Sequence, residues 1–572
     1  LNGAVETVAP GPSPDTVYIG GSFSTVNGAA AKGIALLSTT TGAMVSSFHP
    51  PAMNGMVATA EYRGGRLFIG GTFTSVGGQP RGGLATLDPH TGAVTTYSTL
   101  SFTEHHNYNG TGADGAVGPK DLDISPDGKT MIVIGNFKKV NGQLRDQIAR
   151  IQLTGTGAAL DPNWATAAFS AACGRGAYDS YVRDVDFAPN GSYFAVVSTG
   201  GASTANTDGT RGVCDAAARF ATGANGADVA PTWVDWTGDD TLLSVAATGS
   251  VVYVGGHQRW LNNPDGHDSA GPGATPRPGV AALDPVTGLP LAWNPGRNPR
   301  GEGAYAIFAT TDGLYVGSDT EYIGNRRYER KRIAYFPLAG GRAPVVPTTP
   351  KLPANIYLGG VGATSNRLSY RHYDGRIFSN ARTVNSPQPD WSHMRGAFVL
   401  NHTLYYSDLS GNFYRRSFNG TTFGPVSTLD PYDDPAWSNV QTGSGQTYRG
   451  AKSSFYSQMA NVTGLAYQNG RIYYTLAGQP DLRYRYFNPN STVIGEQEFT
   501  VAATGADFRV SKGFFIAGSS LYWVTQGGAL HRMSFAGGIP VASSDTSISG
   551  PGAGGDGKDW RAYDIFIIPD GS

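Results

Sequence analysis

The stretches that decide the fold are VYIGGSFSTVNG at Val17–Gly28 and LFIGGTFTSVGG at Leu67–Gly78. Each joins an apolar strand to a turn ending in Asn-Gly or Gly-Gly, and such pairs reverse β-hairpins. The pattern returns as IVIGNFKKVNG from Ile132, VYVGGHQRWLNN from Val252 and LYVGSDTEYIGN from Leu314. A β-hairpin is therefore repeated along the first part of the chain.

Further strands accompany each hairpin in a constant order. The following strand reads GIALLSTTTG from Gly33, GLATLDPHTG from Gly83 and GVAALDPVTG from Gly279, and a preceding strand reads DLDISPDGKT from Asp121 or VDFAPNGSYF from Val185. The units recur every 50 to 65 residues or so, which suits a four-stranded antiparallel propeller blade. With the divergent copy around residues 193–198, we count about six blades.

A segment rich in proline, APVVPTTPKLP from Ala343, divides the chain. We therefore expect an all-β protein of two tandem β-propellers, with an N-terminal propeller over 1–342, a linker over 343–356 and a C-terminal propeller over 357–572. A single large ring that uses both sets of repeats is the alternative.

The second part has its own repeat. It reads LYYSDLSGNFYRRSFNG from Leu404, IYYTLAGQPDLRYRYFN from Ile472 and LYWVTQGGALHRMSFAGG from Leu521. Four or five blades result, depending on whether the insert at 430–461 contributes strands. DWRAYDIFII from Asp559 resembles DWSHMRGAFVL from Asp390, so we expect the C-terminal strand to complete the blade that continues at Leu368.

The VYIGGSF and ALDPxTG strings resemble the delta-60 repeats of secreted actinobacterial proteins, over roughly residues 1–345. They are also similar to strands of quinoprotein-type propellers, although adjacent cysteines do not occur here. The resemblance implies a β-propeller and carries no shared chemistry.

Net charge and the lengths of apolar runs restrict the kinds of partner and the compartment that we expect for this protein. A net charge of -1 gives no field for nucleic acid, and no apolar run approaches the length of a membrane span. The chain starts at Leu1 within an apparent strand, which suggests a segment removed on export. We expect a secreted, soluble protein, and its oligomeric state stays open.

Cys173 and Cys214 are the only cysteines, and both lie in loop sequence of one repeat. In an oxidising compartment they predict a disulfide. Two buried thiols or one reactive cysteine are the alternatives.

Two acidic pairs, Asp121/Asp123 and Asp184/Asp186, occupy equivalent places in adjacent blades. Strand alternation puts both carboxylates of a pair on one face, so four acids could converge on a channel. Such a group could bind calcium or perform acid/base work. The alternative is that these aspartates bond nearby backbone, Arg183 or Lys120.

The loop at 257–279 interrupts its blade and is a candidate ligand site, because long loops on rigid scaffolds often carry function. Its candidate ligand residues are His257, Arg259, Trp260, His267 and Arg277, and Asp265 and Asp268 loosely resemble a calcium loop. An ordered structural loop is the alternative.

The insert from Asp430 places aromatic and acidic side chains in a polar stretch. These are Tyr432, Asp433, Asp434 and Trp437. They would suit a sugar, whose C–H faces stack on aromatic rings, or packing between the two propellers. A third stretch, 104–109, stands out by composition alone.

No linear catalytic motif is found, although a propeller can assemble a site from distant loops. The leading hypothesis is a secreted, non-catalytic binding or scaffold protein for glycans or a cell-surface polymer. One alternative is a polysaccharide-cleaving hydrolase or lyase that uses the channel aspartates with His257 or His267. The other is a structural subunit of an extracellular assembly, which predicts an exposed apolar patch.

Overall fold

The computed structural model describes residues 1–106, 115–174, 178–201, 212–298, 300–344, 347, 349–360, 366–385, 389–441, 447–501 and 505–570. Helical structure in these residues is limited to the helix α1 (Phe455–Gln458) and two 3-10 turns, Trp391–His393 and Met459–Asn461. No helix in the described ranges is long and apolar enough to cross a membrane. The prediction of an all-β fold is confirmed.

The described residues of the N-terminal part form 32 strands. They are β1 (Val5–Pro10), β2 (Thr16–Gly21), β3 (Thr25–Val26), β4 (Ala29–Ala30), β5 (Ile34–Ser38), β6 (Val57–Arg63), β7 (Arg66–Gly71), β8 (Ser75–Val76), β9 (Gln79–Pro80), β10 (Leu84–Leu87), β11 (Phe102–Thr103), β12 (Gly118–Ile124), β13 (Thr130–Asn136), β14 (Lys139–Val140), β15 (Gln143–Leu144), β16 (Ile148–Leu153), β17 (Ala158–Leu160), β18 (Val182–Phe187), β19 (Tyr193–Ser198), β20 (Ala216–Ala221), β21 (Trp233–Trp236), β22 (Leu242–Ala247), β23 (Val252–Gly256), β24 (Trp260–Leu261), β25 (Thr275–Pro276), β26 (Val280–Leu283), β27 (Arg297–Asn298), β28 (Ala304–Ala309), β29 (Gly313–Ser318), β30 (Tyr322–Ile323), β31 (Tyr328–Glu329) and β32 (Ile333–Pro337).

Six antiparallel sheets follow one another along this part. In strand order they are sheet 1 (β1-β2-β5), sheet 2 (β6-β7-β10), sheet 3 (β12-β13-β16-β17), sheet 4 (β18-β19-β20-β21), sheet 5 (β22-β23-β26) and sheet 6 (β28-β29-β32). The remaining strands form small hairpins and ribbons at the sheet edges. Each sheet therefore consists of strands that are close together in sequence.

The first strands of successive sheets pack side by side. β1 contacts β6, and the series continues through β12, β18 and β22 to β28. Each of these six strands carries a β-bulge near its start, as between Val57 and Thr59 in β6 or between Val182 and Asp184 in β18. Apolar side chains fill the space between neighbouring sheets: Tyr18 and Leu36 of sheet 1, for example, pack on Ile69 of sheet 2.

The C-terminal part contains 16 strands. They are β33 (Ala354–Gly359), β34 (Leu368–Tyr373), β35 (Arg382–Thr383), β36 (Met394–Leu400), β37 (Thr403–Asp408), β38 (Phe413–Ser417), β39 (Ser427–Thr428), β40 (Val462–Gln468), β41 (Arg471–Leu476), β42 (Arg483–Tyr486), β43 (Phe499–Thr500), β44 (Phe514–Ala517), β45 (Ser520–Val524), β46 (Leu530–Ala536), β47 (Ile539–Ser549) and β48 (Asp564–Pro569).

These strands form four sheets of four strands each. They are sheet 7 (β48-β33-β34-β35), sheet 8 (β36-β37-β38-β39), sheet 9 (β40-β41-β42-β43) and sheet 10 (β44-β45-β46-β47). β36 packs on β40, β40 on β44, β44 on β48, and β48 returns to β36.

Sheet 7 joins the two ends of the C-terminal part. Gly359 pairs with Asp564 and Ala354 pairs with Pro569, so β33 is bonded to β48 along its whole length. The rings of Tyr357 and Phe566 stack with their centroids 5.3 Å apart. β33 begins at Ala354, inside the segment 343–356 that is predicted as linker. The predicted boundary comes too late because the prolines lie directly before this alternating apolar strand.

Cys173 and Cys214 form a disulfide, as predicted. The pair is buried beside Tyr181 in the loops of sheet 4.

Shortening the chain after Lys558 tests the role of β48. The truncation removes the partner of β33 together with the buried side chains of Ile565, Phe566 and Ile567, each worth about 1.5–3 kcal/mol of burial. Because a whole domain is stable by only about 5–15 kcal/mol, we expect the C-terminal part to unfold. Limited proteolysis with mass spectrometry measures this.

The control is a chain shortened after Asp570, which keeps β48 complete. Equal resistance of sheets 8 to 10 to protease in both chains would show that β48 is dispensable.

Candidate functional site

Five carboxyl groups meet where sheets 2, 3 and 4 pack at their first strands. Asp121 and Asp184 share a hydrogen bond between their side chains, and Asp123 and Asp186 share another. The nearby charges of Asp123 and Asp121 both raise the pKa of Glu61 in sheet 2. The structure therefore brings together the four aspartates singled out in the sequence and adds Glu61.

Each aspartate also accepts a backbone N–H from the following sheet. Asp121 Oδ2 accepts from Val185 N at 3.2 Å and Asp123 Oδ2 accepts from Phe187 N at 2.6 Å. One sheet further on, the carboxyls of Asp184 and Asp186 accept from the backbone of sheet 5 at 2.7 and 2.6 Å. We call these five carboxyls the acid ladder, since they link consecutive sheets at regular steps.

Burial raises the pKa of every member of the acid ladder. The pKa of Glu61 rises to about 8 and that of Asp123 to about 6, and in both cases the charge of a neighbouring aspartate adds to the effect of burial. Burial also raises the pKa of Asp121, and it holds those of Asp184 and Asp186 well above their usual range. Several of these carboxyls are therefore protonated at neutral pH, which lets them hydrogen bond to one another.

The four aspartates of the acid ladder suit inter-sheet bonding better than catalysis, because their carboxyls are engaged with backbone amides and with each other. Glu61 differs: Oε1 accepts from Arg63 and Oε2 is buried without a partner. Within the ranges that the structure describes, no three His, Cys, Asp or Glu side chains are grouped as a metal ion requires. Calcium binding by Asp121, Asp123, Asp184 and Asp186 stays a prediction.

The loop at 257–279 is organised around a buried ion pair. Asp240 accepts from Arg259 Nε and Nη2 at 2.8 and 2.9 Å, and from the Arg259 backbone N at 2.8 Å. Arg300 also contacts Asp240, and Asp268 contacts Arg259 from the surface. A buried bidentate pair of this kind fixes the loop backbone.

The other candidate residues of this loop differ in how they are held. Arg277 donates from Nε to Leu291 O at 2.9 Å, and burial lowers its pKa to about 10. Burial and the nearby Arg300 lower the pKa of His257. Asp265 and His267 are exposed at the loop tip, with His267 Nδ1 lying 3.9 Å from Asp239. These contacts match the ordered-loop interpretation.

Aromatic side chains predicted as ligand residues lie at the junction of the two parts. Trp260 Nε1 donates to Tyr448 O and Arg449 O, each at 3.1 Å. The Trp437 ring covers Gly296, where a Cβ would come within 2.0 Å of it. Tyr432 is buried and donates from its hydroxyl to Ile494 O at 3.0 Å.

The acidic neighbours in the insert differ in position. Asp434 accepts from Asn294 Nδ2 at 2.7 Å across the junction, whereas Asp433 is exposed and lies 3.4 Å from Arg449 Nε. Trp260, Tyr432 and Trp437 are thus placed for packing between the two parts, with no ring surface open to a sugar.

The third stretch, 104–109, is only partly described, and residues 107–109 lie outside the described ranges. His106 is buried, with Nδ1 at 2.7 Å from Asp146 Oδ1.

A cleft that the sequence did not reveal opens at the same junction. Its main walls are Trp233, Asp235 and Trp236 from β21, Asn262 and Pro264 from the loop, and Leu289, Tyr486 and Gln497 from the two sides. Its cavity volume is about 20 Å³, which is room for about one water molecule. We call it the junction cleft.

Asp235 is the unusual group of the junction cleft. It is 3% exposed; Oδ1 accepts from Asn262 N at 2.7 Å, while Oδ2 has no hydrogen-bond partner. Burial raises its pKa to about 8, although Asn262 N–H and Arg277 act in the opposite direction. The carboxyl is therefore largely protonated at neutral pH, and its Oδ2 is both buried and without a hydrogen-bond partner.

The side chain of Asn262 locks the floor of the junction cleft. Its Nδ2 donates to Gly273 O and Ile494 O, and its Oδ1 accepts from Glu496 N at 2.9 Å. Alternation along β21 places Trp233 and Asp235 on one face of the strand. The string TWVDW at 232–236 was the available signal, but its role depends on contacts with residues more than 200 positions away.

Comparisons with known proteins support the propeller assignment. The family model described as "Domain of unknown function (DUF5122) beta-propeller" matches residues 65–93 and 125–157, within the repeats of sheets 2 and 3. No curated protein matches the chain. The crystal structure of the computationally designed Ika8 protein is similar at 10% identity and a TM-score of 0.31, covering 88% of this chain and 97% of the designed one. A TM-score of this size does not establish a shared fold.

The acid ladder makes stability depend on pH. Folded Glu61 and Asp123 keep protons that the unfolded chain releases above about pH 4. Their contribution to the free energy of unfolding is therefore complete below that pH and is lost as the pH rises through about 6 and about 8. We expect Glu61→Gln to change the free energy of unfolding more favourably at pH 8.5 than at pH 5, by about 1 kcal/mol or more.

Thermal unfolding of both chains between pH 5 and pH 9 measures this difference. Asp312→Asn, at an exposed turn of sheet 6, is the control and should show no such trend. A Glu61→Gln effect that is independent of pH would contradict the ladder of protonated acids.

Proposed function

We propose that this chain is a non-catalytic extracellular binding protein that recognises a polar ligand of the glycan class at the junction cleft. The observation that carries the proposal is Asp235, a buried carboxyl with one unpartnered oxygen beside tryptophan and tyrosine rings. Aromatic walls with a few convergent polar groups are typical of sugar sites, because sugar rings stack while their hydroxyls hydrogen bond.

The proposed architecture is two tandem propellers. Sheets 1 to 6 are the blades of the first, which is open between sheets 6 and 1 in the described residues. Sheets 7 to 10 are the blades of the second, with β48 and β33 completing one blade. The junction cleft then lies between two rigid bodies that are fixed to each other by buried contacts, and a site at such an interface is common. Gln497 lies at the exposed rim of the cleft, where its amide faces solvent.

Compartment and chemistry support binding over cleavage. The disulfide between Cys173 and Cys214 suits an oxidising compartment, which we propose is extracellular. The four aspartates of the acid ladder are bonded to backbone amides, which leaves them poorly placed to act on a glycosidic bond.

A panel of soluble cell-wall and capsular oligosaccharides, measured by isothermal titration calorimetry, tests the proposal. For any oligosaccharide that binds, we expect Gln497→Ala to weaken the affinity about three- to tenfold through the loss of one hydrogen bond. Gln143→Ala, at the exposed edge strand β15, is the matched control and should leave the affinity unchanged.

Two failures can be told apart. Absence of binding across the panel would overturn the glycan function. Binding that Gln497→Ala does not affect would leave the function standing and remove the junction cleft as its site.

The pH dependence of binding tests the role of Asp235 itself. Its protonated carboxyl can donate to a ligand oxygen, and that donor is lost as the pH rises through about 8. We expect the affinity of the unaltered protein to fall between pH 6.5 and pH 9. Asp235→Asn retains an N–H donor, so its affinity should stay flat over the same range; a parallel fall in both proteins would contradict this role.

A further inference from the structure

The six sheets of the N-terminal part form a series with two open ends. Each internal interface joins the outgoing face of one sheet to the incoming face of the next. Phe68 at the centre of the outgoing face of sheet 2 and Ile132 in sheet 3 are both buried by the following sheet. The register places Tyr315 of sheet 6 at the equivalent position, and this ring is 44% exposed.

The whole outgoing face of sheet 6 is apolar and uncovered. Phe308 and Tyr335 flank Tyr315 on the neighbouring strands, and the rings of Tyr315 and Tyr335 lie 4.6 Å apart. Phe308 is 66% exposed and Ile333 is 68% exposed. In sheet 5 the residues equivalent to Ile333 and Tyr335 are Val280 and Ala282, and both are buried.

The incoming face of sheet 1 is the equivalent surface, and it is partly open: Ile19, the counterpart of Ile69, is 7% exposed and packs with Phe23. In sheet 2 the incoming face is made by Ala60, Leu67 and Ile69, which pack on sheet 1. The residue of sheet 1 equivalent to Ala60 is Val8, since each follows the residue after the bulge, and Val8 is 64% exposed. In the described ranges, no packing of β1 on β28 comparable to that between the other first strands is present.

Charge distinguishes the two open ends. At sheet 6 the exposed stretch 321–332 carries Arg326, Arg327, Arg330, Lys331 and Arg332 against Glu321 and Glu329. The first 33 residues carry Glu6 and Asp15 against one cationic side chain, Lys32, which precedes β5 at the same end of sheet 1 as Glu6. Glu6 lies at the start of β1, the same end of the sheet at which Lys331 and Arg332 precede β32.

We propose that the outgoing face of sheet 6 binds the incoming face of sheet 1 in a second copy of this chain. The contact repeats the geometry that already joins sheets 1 to 6, with apolar side chains at the centre. The net positive stretch 321–332 would meet the end of sheet 1 that carries Glu6 and Lys32. A heterologous contact of this kind leaves one free face at each end of a dimer, so association continues with concentration unless a ring closes. The inference stands apart from the proposed glycan binding, which uses other residues.

Sedimentation velocity of the full chain from about 1 to about 100 µM tests the association. We expect the average mass to rise with concentration and to fall with added salt, since rim charges are screened. Ile333→Glu should weaken association about tenfold or more, because it places a charge in the apolar centre. Leu409→Glu is the control: it changes an equally aliphatic, exposed residue of the C-terminal part.

Cross-linking identifies which faces meet. Both native cysteines are joined in the disulfide, so Val8→Cys and Ile333→Cys each supply a single free thiol for a short bismaleimide linker. We expect a cross-linked dimer from a mixture of the two variants and none from either variant alone.

Three results would overturn the proposal. They are a constant monomer mass over the concentration range, cross-linking of one variant with itself, and efficient cross-linking within one chain of the double variant at low concentration. The last would show that sheet 6 closes on sheet 1 of its own chain.

Discussion

The fold depends on one constraint: a sheet with two apolar faces needs a neighbour on each side. In this chain the neighbours are the preceding and following repeats, so stability comes from contacts between units rather than within them. Tyr18, Phe68 and Ile132 show this directly, because each is buried by the next sheet and by little of its own. The C-terminal part meets the constraint through β48, whereas sheets 1 and 6 each keep one face uncovered.

Polar side chains at the first strands also make their contacts with the following sheet. Here the bulge turns a Thr, Asp or Ser toward the following sheet, where Asp121, Asp184 and Ser244 each bond its backbone. Carboxyls that meet in this narrow space cannot all be charged, so they share protons instead. The junction between the two parts relies on buried polar groups in the same way, with Asn262 and Asp240 fixing loops that carry the walls of the junction cleft.

Repeats made the all-β fold and its hairpins predictable, because period, turns and apolar alternation are local properties of sequence. The disulfide followed from the same local context of Cys173 and Cys214. Side-chain roles at the junction were not predictable. Trp437 looks like a sugar-binding residue in a polar stretch, but its environment is set by Gly296, which lies 141 positions earlier in the chain. Asp235 stands in the aromatic string TWVDW, but its burial and its bond to the Asn262 backbone depend on how β21 packs against the loop at 257–279.

The pairing of Ala354 with Pro569 has a consequence for how such a unit can be reused. Its entry and exit points lie side by side on adjacent strands, so the four-sheet unit could be inserted into a surface loop of another protein without stretching its host. The six-sheet unit differs, since its first and last strands, β1 and β32, belong to separate sheets and are not paired with each other. Gene fusion would therefore move the two units by different routes, the compact one as an insertion and the open one as an end-to-end extension.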